Sequence, residues 1–313
     1  MCGIAGILQF AGEAPSRAAL EAMTEAMAPR GPDGAGIALH DRVGLGHRRL
    51  KIIDLSARAA QPMTDARLGL SVVFNGCIYN YRELRKALQA QGYEFFSEGD
   101  TEVVLKAHHA WGVHAPERFH GMFAYAVHEH ASGRVTLARD RLGIKPLYYA
   151  ETAQGLKFAS TLPALLASGG VDTSIDKVAL NYYLSFHAVV PAPRTLLSGV
   201  RKLPPATVRT LEPDGRARDL VYWSLSFERS AQDLRRSDPE WQELLLAALR
   251  RAVRRRIDKA CVSNASAGST YWRSGCGPRD GAILAFCFFA TRPRCTPPGA
   301  LRFYRCASIC AGS

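Results

Sequence analysis

A chain of 313 residues with 47% hydrophobic and 22% charged side chains has the balance of a soluble globular protein of one large or two ordinary domains. No apolar run approaches the ~18 residues of a membrane span and the N-terminus lacks the basic flank of a secretory signal, so the expectation is a cytoplasmic protein with no membrane contact. The net charge of +12 has the sign of a nucleic-acid binder, but its distribution argues against nucleic acid as a partner: residues 250–313 hold 12 basic and 2 acidic side chains, the rest is close to neutral, and no basic face interleaved with aromatics goes with the excess.

CGIAGILQF at 2–10 predicts a buried strand. Ser16 predicts the N-cap of a helix with Leu20, Met23 and Met27 on one face, ended by Pro29. GAGIAL and VGLGHRRL, joined through His40, Asp41 and Arg42, predict a hairpin, and LSVVFN a further strand. Asn80 followed by Glu83 has the spacing of a capping box at the head of a helix that Gly92 closes. TEVVLKAHHAWG predicts a third helix, with Asp100 placed to cap it. MFAYAVHEH and RVTLARD, turning at Ser132 and Gly133, predict a second hairpin, PLYYAE and LKFAS two more strands, and TLPALLASG a short helix.

Strands and helices in separate blocks predict an α+β fold, with sheets packed between helical layers, rather than a doubly wound parallel sheet. Residues 213–239 are polar and predict a linker; 240–256 predict a helix with Trp241, Leu245, Leu249 and Val253 in period. Beyond Ile257 the period dissolves into a tail rich in Ser, Gly, Arg, Pro and Cys. Of eight cysteines only Cys2 and Cys77 precede residue 260. The other six predict neither disulfides, in a cytosolic chain, nor a metal site, since only Cys306 and Cys310 form a close pair.

Position 2 carries chemistry of its own. Removal of Met1, favoured when the next side chain is small, leaves Cys2 with an α-amine of pKa ~7.7 beside a thiol of pKa ~8.5. One residue then supplies both a nucleophile and the base that activates it. Taken alone, the same residue is better read as a small buried residue opening a strand.

MCGIAGI is followed, in order, by RGPDG at 30–34, GHRRLKIIDLS at 46–56, QPM at 61–63 and NGCIYNYRELR at 75–85. GDTEV at 99–103, FHGMFAYA at 119–126 and RDRLGIKPLYY at 139–149 complete the series. Over residues 2–212 this set resembles the class II glutamine amidotransferase domain at the front of glutamine-hydrolysing asparagine synthetases. The resemblance implies the N-terminal nucleophile hydrolase fold, a four-layer αββα sandwich of two antiparallel sheets. It also implies hydrolysis of L-glutamine to glutamate and ammonia with neither metal nor cofactor.

Carried over by motif, Cys2 is the nucleophile, and Asn75 with the Gly76 N–H forms the oxyanion hole. Arg49 takes the substrate α-carboxylate, for which a planar guanidinium is a bidentate match, and Asp100 takes the α-ammonium. Leu50, Lys51, Ile52, Ile53 and Cys77 complete the glutamine pocket by position. His47 is expected to be scaffold, because the mechanism needs no imidazole, and Asn75–Gly76 also reads as a plain turn dipeptide.

The family usually carries NGE where this chain has NGC, so Cys77 replaces a glutamate beside the oxyanion hole. NGCIYN and SFHAVVPAPRT look most similar to a narrower branch, N-acetylglutaminylglutamine amidotransferase, which amidates a dipeptide. The family continues in cis into a synthetase domain that uses ATP and Mg to activate the acceptor carboxylate, and 240–256 resembles its first helix. SNASAGST lacks the Gly-Gly and following Asp of that domain's phosphate loop. The rest of the synthetase domain is therefore expected to be missing, and 257–313 to be an aberrant, disordered, out-of-frame tail. Two functions are expected: a glutaminase half acting without its synthetase step, or an inactive truncated product. Homo-oligomerisation is left open.

Overall fold

β1 (Gly3–Gln9) is buried almost throughout and is hydrogen-bonded along both edges, because its alternate apolar side chains have a core on either face. It is the fourth strand of a sheet ordered β10 (Arg201–Lys202), β8 (Tyr148–Thr152), β9 (Gly155–Ala159), β1, β3 (Val43–Arg49), β2 (Gly34–His40). A second sheet runs β12 (Ala217–Val221), β11 (Thr207–Leu211), β7 (Val135–Arg139), β6 (Gly121–Glu129), β5 (Leu70–Ile78), β4 (Met63–Asp65). The strand pairings are antiparallel throughout both sheets. This computed structural model describes residues 1–264, with side chains through Arg256; the remainder of the expected tail, including the cysteines from Cys276 onward, lies outside the described residues.

The pleat sorts the core into three apolar layers. Ile4 and Leu8 of β1 face the second sheet and meet Leu45, Val73, Ala124, Ala126 and Leu137 between the sheets. Ala5 and Ile7 face outward onto Leu20, Met23, Met27 and Leu165 of the layer formed by α1 (Arg17–Glu25) and α4 (Leu162–Ala167). On the far side, Phe74, Phe123, Tyr125 and Val127 pack against Leu84, Leu88 and Val103 from α2 (Tyr81–Gln89) and α3 (Asp100–Trp111). Each fully buried side chain of this kind stabilises the fold by roughly 1.5–3 kcal/mol. The architecture is α+β, a four-layer αββα sandwich, as the sequence predicts. Ser16 caps α1 through its Oγ, which accepts from Ala19 N–H at 3.2 Å, and the two hairpins form where expected. α5 (Lys177–Ser185), which the sequence reading left unassigned, is capped by Asp176, whose carboxylate accepts from the N–H of Val178 and Ala179.

Five expectations are corrected. Asn80 does not cap α2: its amide donates to Arg118 O and its Oδ1 accepts from His120 N–H, tying α2 to the start of β6 instead. Asp100 does not cap α3 either; it is the first helical residue, after Gly99. Asn75–Gly76 is no turn but the interior of β5, paired with Ala124 and Phe123. The segment read as a linker contains β12, which closes the second sheet against β11, and Leu220 and Tyr222 pack onto the core beneath. The helix expected over 240–256 is longer, α6 (Asp238–Asn264), so the backbone stays helical past Ile257.

Buried imidazoles make this fold sensitive to acid. His40, His128 and His130 gather where the β2–β3 hairpin meets the end of β6, with the His40 and His130 rings stacked 4.1 Å apart and His128 5.1 Å from His130. Burial, then the neighbouring imidazoles, lower the His128 pKa from 6.5 to about 4, and burial lowers that of His47 to about 3. A folded pKa below the unfolded one means that the unfolded chain binds protons the native state refuses. Stability is then complete above pH 6.5 and falls as the pH drops toward 4, by up to ~1.4 kcal/mol per pH unit for each such ring. The urea midpoint is expected to fall across that window, and less steeply in His128→Phe; an equal slope in both proteins refutes the assignment.

Candidate active site

The N-terminal end of β1, the loop after β3, the C-terminal half of β5, the head of α3 and the loop after β7 converge on one place. At its centre is Cys2, half-buried, its Sγ held by both backbone groups of Leu50: the Leu50 N–H donates to the sulfur at 3.4 Å, and the thiol donates to the Leu50 carbonyl at 3.6 Å. The Cys2 carbonyl accepts from Arg30 Nε at 3.1 Å, and the Met1 amine donates to the Arg30 carbonyl at 2.9 Å. Burial pushes the Cys2 thiol up from its ordinary value, and the Leu50 hydrogen bond pulls the other way.

Arg49 ends β3 and is buried. Its two terminal nitrogens donate to the carbonyls of Ser56 (2.9 Å) and Asp54 (2.6 Å), which folds the 50–56 loop back on itself. Each of those nitrogens carries a second N–H, so the guanidinium keeps donors for a further acceptor. The loop is tied down at both ends: Asp33 accepts from Lys51 N–H, and Asp54 accepts from Glu98 N–H just before α3.

β5 supplies the polar wall. In an antiparallel strand alternate N–H groups point to the same edge. Phe74 N–H is taken by Gln61 Oε1 at 2.6 Å and Ile78 N–H by the Asp100 carboxylate at 2.9 Å, so the Gly76 N–H lies on that edge between two occupied neighbours. A Cβ on Gly76 would stand 2.5 Å from the Met122 carbonyl oxygen and 2.8 Å from the Phe123 Cα, so a glycine is needed for β5 and β6 to approach this closely. Next to it Asn75 is buried, and among the described residues its Nδ2 amide has no hydrogen-bond partner. An unpaired buried donor costs ~1–3 kcal/mol, which a ligand oxygen there would offset.

The remaining residues divide. Asp100 lies close enough for its charge to act on Cys2, and Leu50 holds the sulfur. Cys77 sits half-buried on β5 opposite Met122. The side chains of Lys51 and Ile52 are exposed, and Ile53 packs toward α2, where it lines a cleft of about 410 Å³ with Tyr81 and Arg85. His47, fully buried on β3, donates from Nε2 to the Phe74 carbonyl and stays neutral, as befits scaffold.

Two residues at the site were not singled out from the sequence, although RGPDG and RDRLGIKPLYY contain them. Arg30 contacts the Cys2 backbone, and Lys145 brings its ammonium to 3.1 Å from Met1 Sδ. Nothing in their local patterns signals that position. Only the fold brings residue 145 beside residue 1.

Residues 1–223 match the family described as the glutamine amidotransferase domain. The chain is 37% identical over 231 residues to asparagine synthetase [glutamine-hydrolyzing] 1 of Bacillus subtilis (strain 168), covering 73% of this chain and 36% of that protein. It is 30% identical over 232 residues to asparagine synthetase [glutamine-hydrolyzing] 3 of the same organism, with 73% and 38% covered. The chain thus spans little more than a third of the length of these relatives. Among solved structures it resembles glutamine phosphoribosylpyrophosphate amidotransferase from B. subtilis, at a TM-score of 0.53 and 18% identity, over 73% of this chain and 50% of that one. That likeness identifies the sandwich as the N-terminal nucleophile hydrolase fold. With its motifs, its sheets and its matched residues in agreement, the chain belongs to the class II glutamine amidotransferase domain family.

Proposed function

We propose that this chain hydrolyses L-glutamine to glutamate and ammonia through Cys2. The observation that carries this reading is the buried Nδ2 of Asn75, without a hydrogen-bond partner among the described residues, on the strand whose Ile78 N–H is held by Asp100, the carboxylate whose charge acts on the Cys2 thiol. A buried donor with no acceptor among the described residues, adjacent in the chain to the Gly76 N–H, suits an oxygen that gains negative charge during reaction. Once Met1 is removed, the α-amine of Cys2 takes the thiol proton and the thiolate attacks the side-chain carbonyl carbon of glutamine. The carbonyl oxygen becomes the oxyanion held by Asn75 and Gly76. Collapse of the intermediate expels ammonia, which leaves with the proton, and water cleaves the thioester to release glutamate and regenerate the thiol. Arg49 and Asp100 hold the α-carboxylate and α-ammonium, Leu50 keeps the sulfur in place, and Cys77 with the backbone of Lys51, Ile52 and Ile53 borders the pocket.

In the longer relatives the ammonia would serve amidation of aspartate or, as the NGCIYN likeness suggests, of a dipeptide. ATP and Mg belong to that step, and no part of the reaction above is routed through them. Purified protein incubated with glutamine is expected to release glutamate at a rate unchanged by ATP, magnesium and aspartate, with intact mass showing that Met1 is absent. A second reading, an inactive truncated product, is favoured by the run of exposed apolar side chains on α6, Leu244, Leu245, Leu246 and Leu249, since bare apolar surface promotes association. Absence of glutamate release from folded protein lacking Met1 decides for that reading.

A further inference from the structure

Lys145 is a buried cation held in place with unusual completeness. It ends the loop after β7, and Asp140 organises that loop by accepting from the N–H groups of Leu142 (3.2 Å), Ile144 (2.9 Å) and Lys145 itself (2.9 Å), and from Phe123 of β6 (3.1 Å). Arg139 completes the frame, donating to the carbonyls of Lys145 (2.7 Å), Gly143 (2.6 Å) and Leu203 (2.6 Å). The backbone of Lys145 is therefore fixed from both sides, and its side chain, 4% exposed, is directed at the N-terminus, where Nζ stands 3.1 Å from Met1 Sδ.

Burying an ammonium is costly unless an anion faces it. Among the described residues no carboxylate forms an ion pair with Lys145. The groups of opposite tendency that act on it are Cys2, Cys77 and Asp140, in that order, while Arg30 repels it. Asp140 already spends its oxygens on four backbone amides. The group best placed to become the missing anion is the Cys2 sulfur.

We propose that Lys145 is a positioning residue for the nucleophile: its fixed ammonium is the positive charge against which the Cys2 thiolate forms. This rests on the assignment of Cys2 as nucleophile. The cation opposes what burial does to the thiol, and its own burial, which disfavours the charged ammonium, is relieved when the thiolate appears. The same charge disfavours protonation of the neighbouring α-amine, keeping the base available near neutral pH.

The test reads the thiol itself. In the full chain, the rate at which iodoacetamide alkylates Cys2, followed by peptide mass, is measured from pH 5.5 to 10 for wild type, Lys145→Met, Lys145→Gln and Lys145→Arg. The neutral variants are expected to raise the midpoint by about 1 pH unit, which slows alkylation at pH 7 about tenfold. Lys145→Arg is expected to restore most of the shift, and the acid limb of the glutamate-release profile to move in parallel. The neutral variant with the more native-like circular dichroism carries the comparison, and a wild-type midpoint in that variant overturns the proposal. Because alkylation needs no turnover, a shifted midpoint in a protein that releases no glutamate upholds the role of Lys145 while refuting the glutaminase reading.

Discussion

Cys2→Ala is expected to release no glutamate above the uncatalysed background, a loss of about 10⁴-fold or more, because the substitution removes the sulfur proposed to attack. The fold is expected to survive the change. Alanine keeps the Cβ, Cys2 precedes rather than joins β1, and the two bonds lost are the weak contacts between Sγ and Leu50 at 3.4 and 3.6 Å. Alanine is also small enough for Met1 to be removed, so the variant tests the sulfur and not the maturation. Cys2→Ser, which keeps a hydroxyl of far higher pKa in the same position, is expected to retain less than ~1% of activity, since the α-amine cannot deprotonate an alcohol to a useful extent. Glutamate measured by chromatography after hours of incubation decides the matter; appreciable release by Cys2→Ala removes the mechanism.

The second large effect is expected at Asn75. Asn75→Ala lowers kcat for glutamate release by about 10²–10³-fold, or ~2.7–4 kcal/mol, while the KM for glutamine moves little. The split follows from where the charge is. The ground-state carbonyl oxygen gains modestly from one more donor, and the oxyanion gains much more. Stability sets this apart from a structural role, because Nδ2 has no hydrogen-bond partner among the described residues and truncation removes an unsatisfied group as well as some packing. The melting temperature is therefore expected to shift by only a few degrees. A variant that loses folding along with activity would show that Asn75 serves the architecture of β5 instead.

Much of this was legible along the chain, for identifiable reasons. The burial period of β1, β5 and β6 is a property of sequence, and so are the Ser16 cap and the Ser132–Gly133 turn, which need only neighbours a few residues away. Asn80 and Asp100 misled because each is a good capping residue type at the head of an apolar-periodic segment. Each side chain instead reaches across the fold, Asn80 to Arg118 and His120 and Asp100 to Ile78, and such partners leave no trace in local spacing. β12 was missed for the opposite reason. Ala217–Val221 is an edge strand, largely exposed on both faces, so it carries no alternation of apolar and polar residues, and only its backbone pairing with β11 declares it. At the site, the residues within the motifs were readable from resemblance. Lys145 acquires its meaning from a distance of 3.1 Å across 144 positions of chain, which no window of sequence contains.

The placement of β1 has a practical corollary. Six residues of it pair with β3 and five with β9, so the strand cannot slide or peel away without opening the sheet. Whatever is fused ahead of Met1 is consequently pinned beside Cys2, where it would mask the α-amine that the proposed mechanism requires. An affinity handle for purification belongs at the other end of the chain, or behind a protease site that leaves Cys2 as the first residue after cleavage.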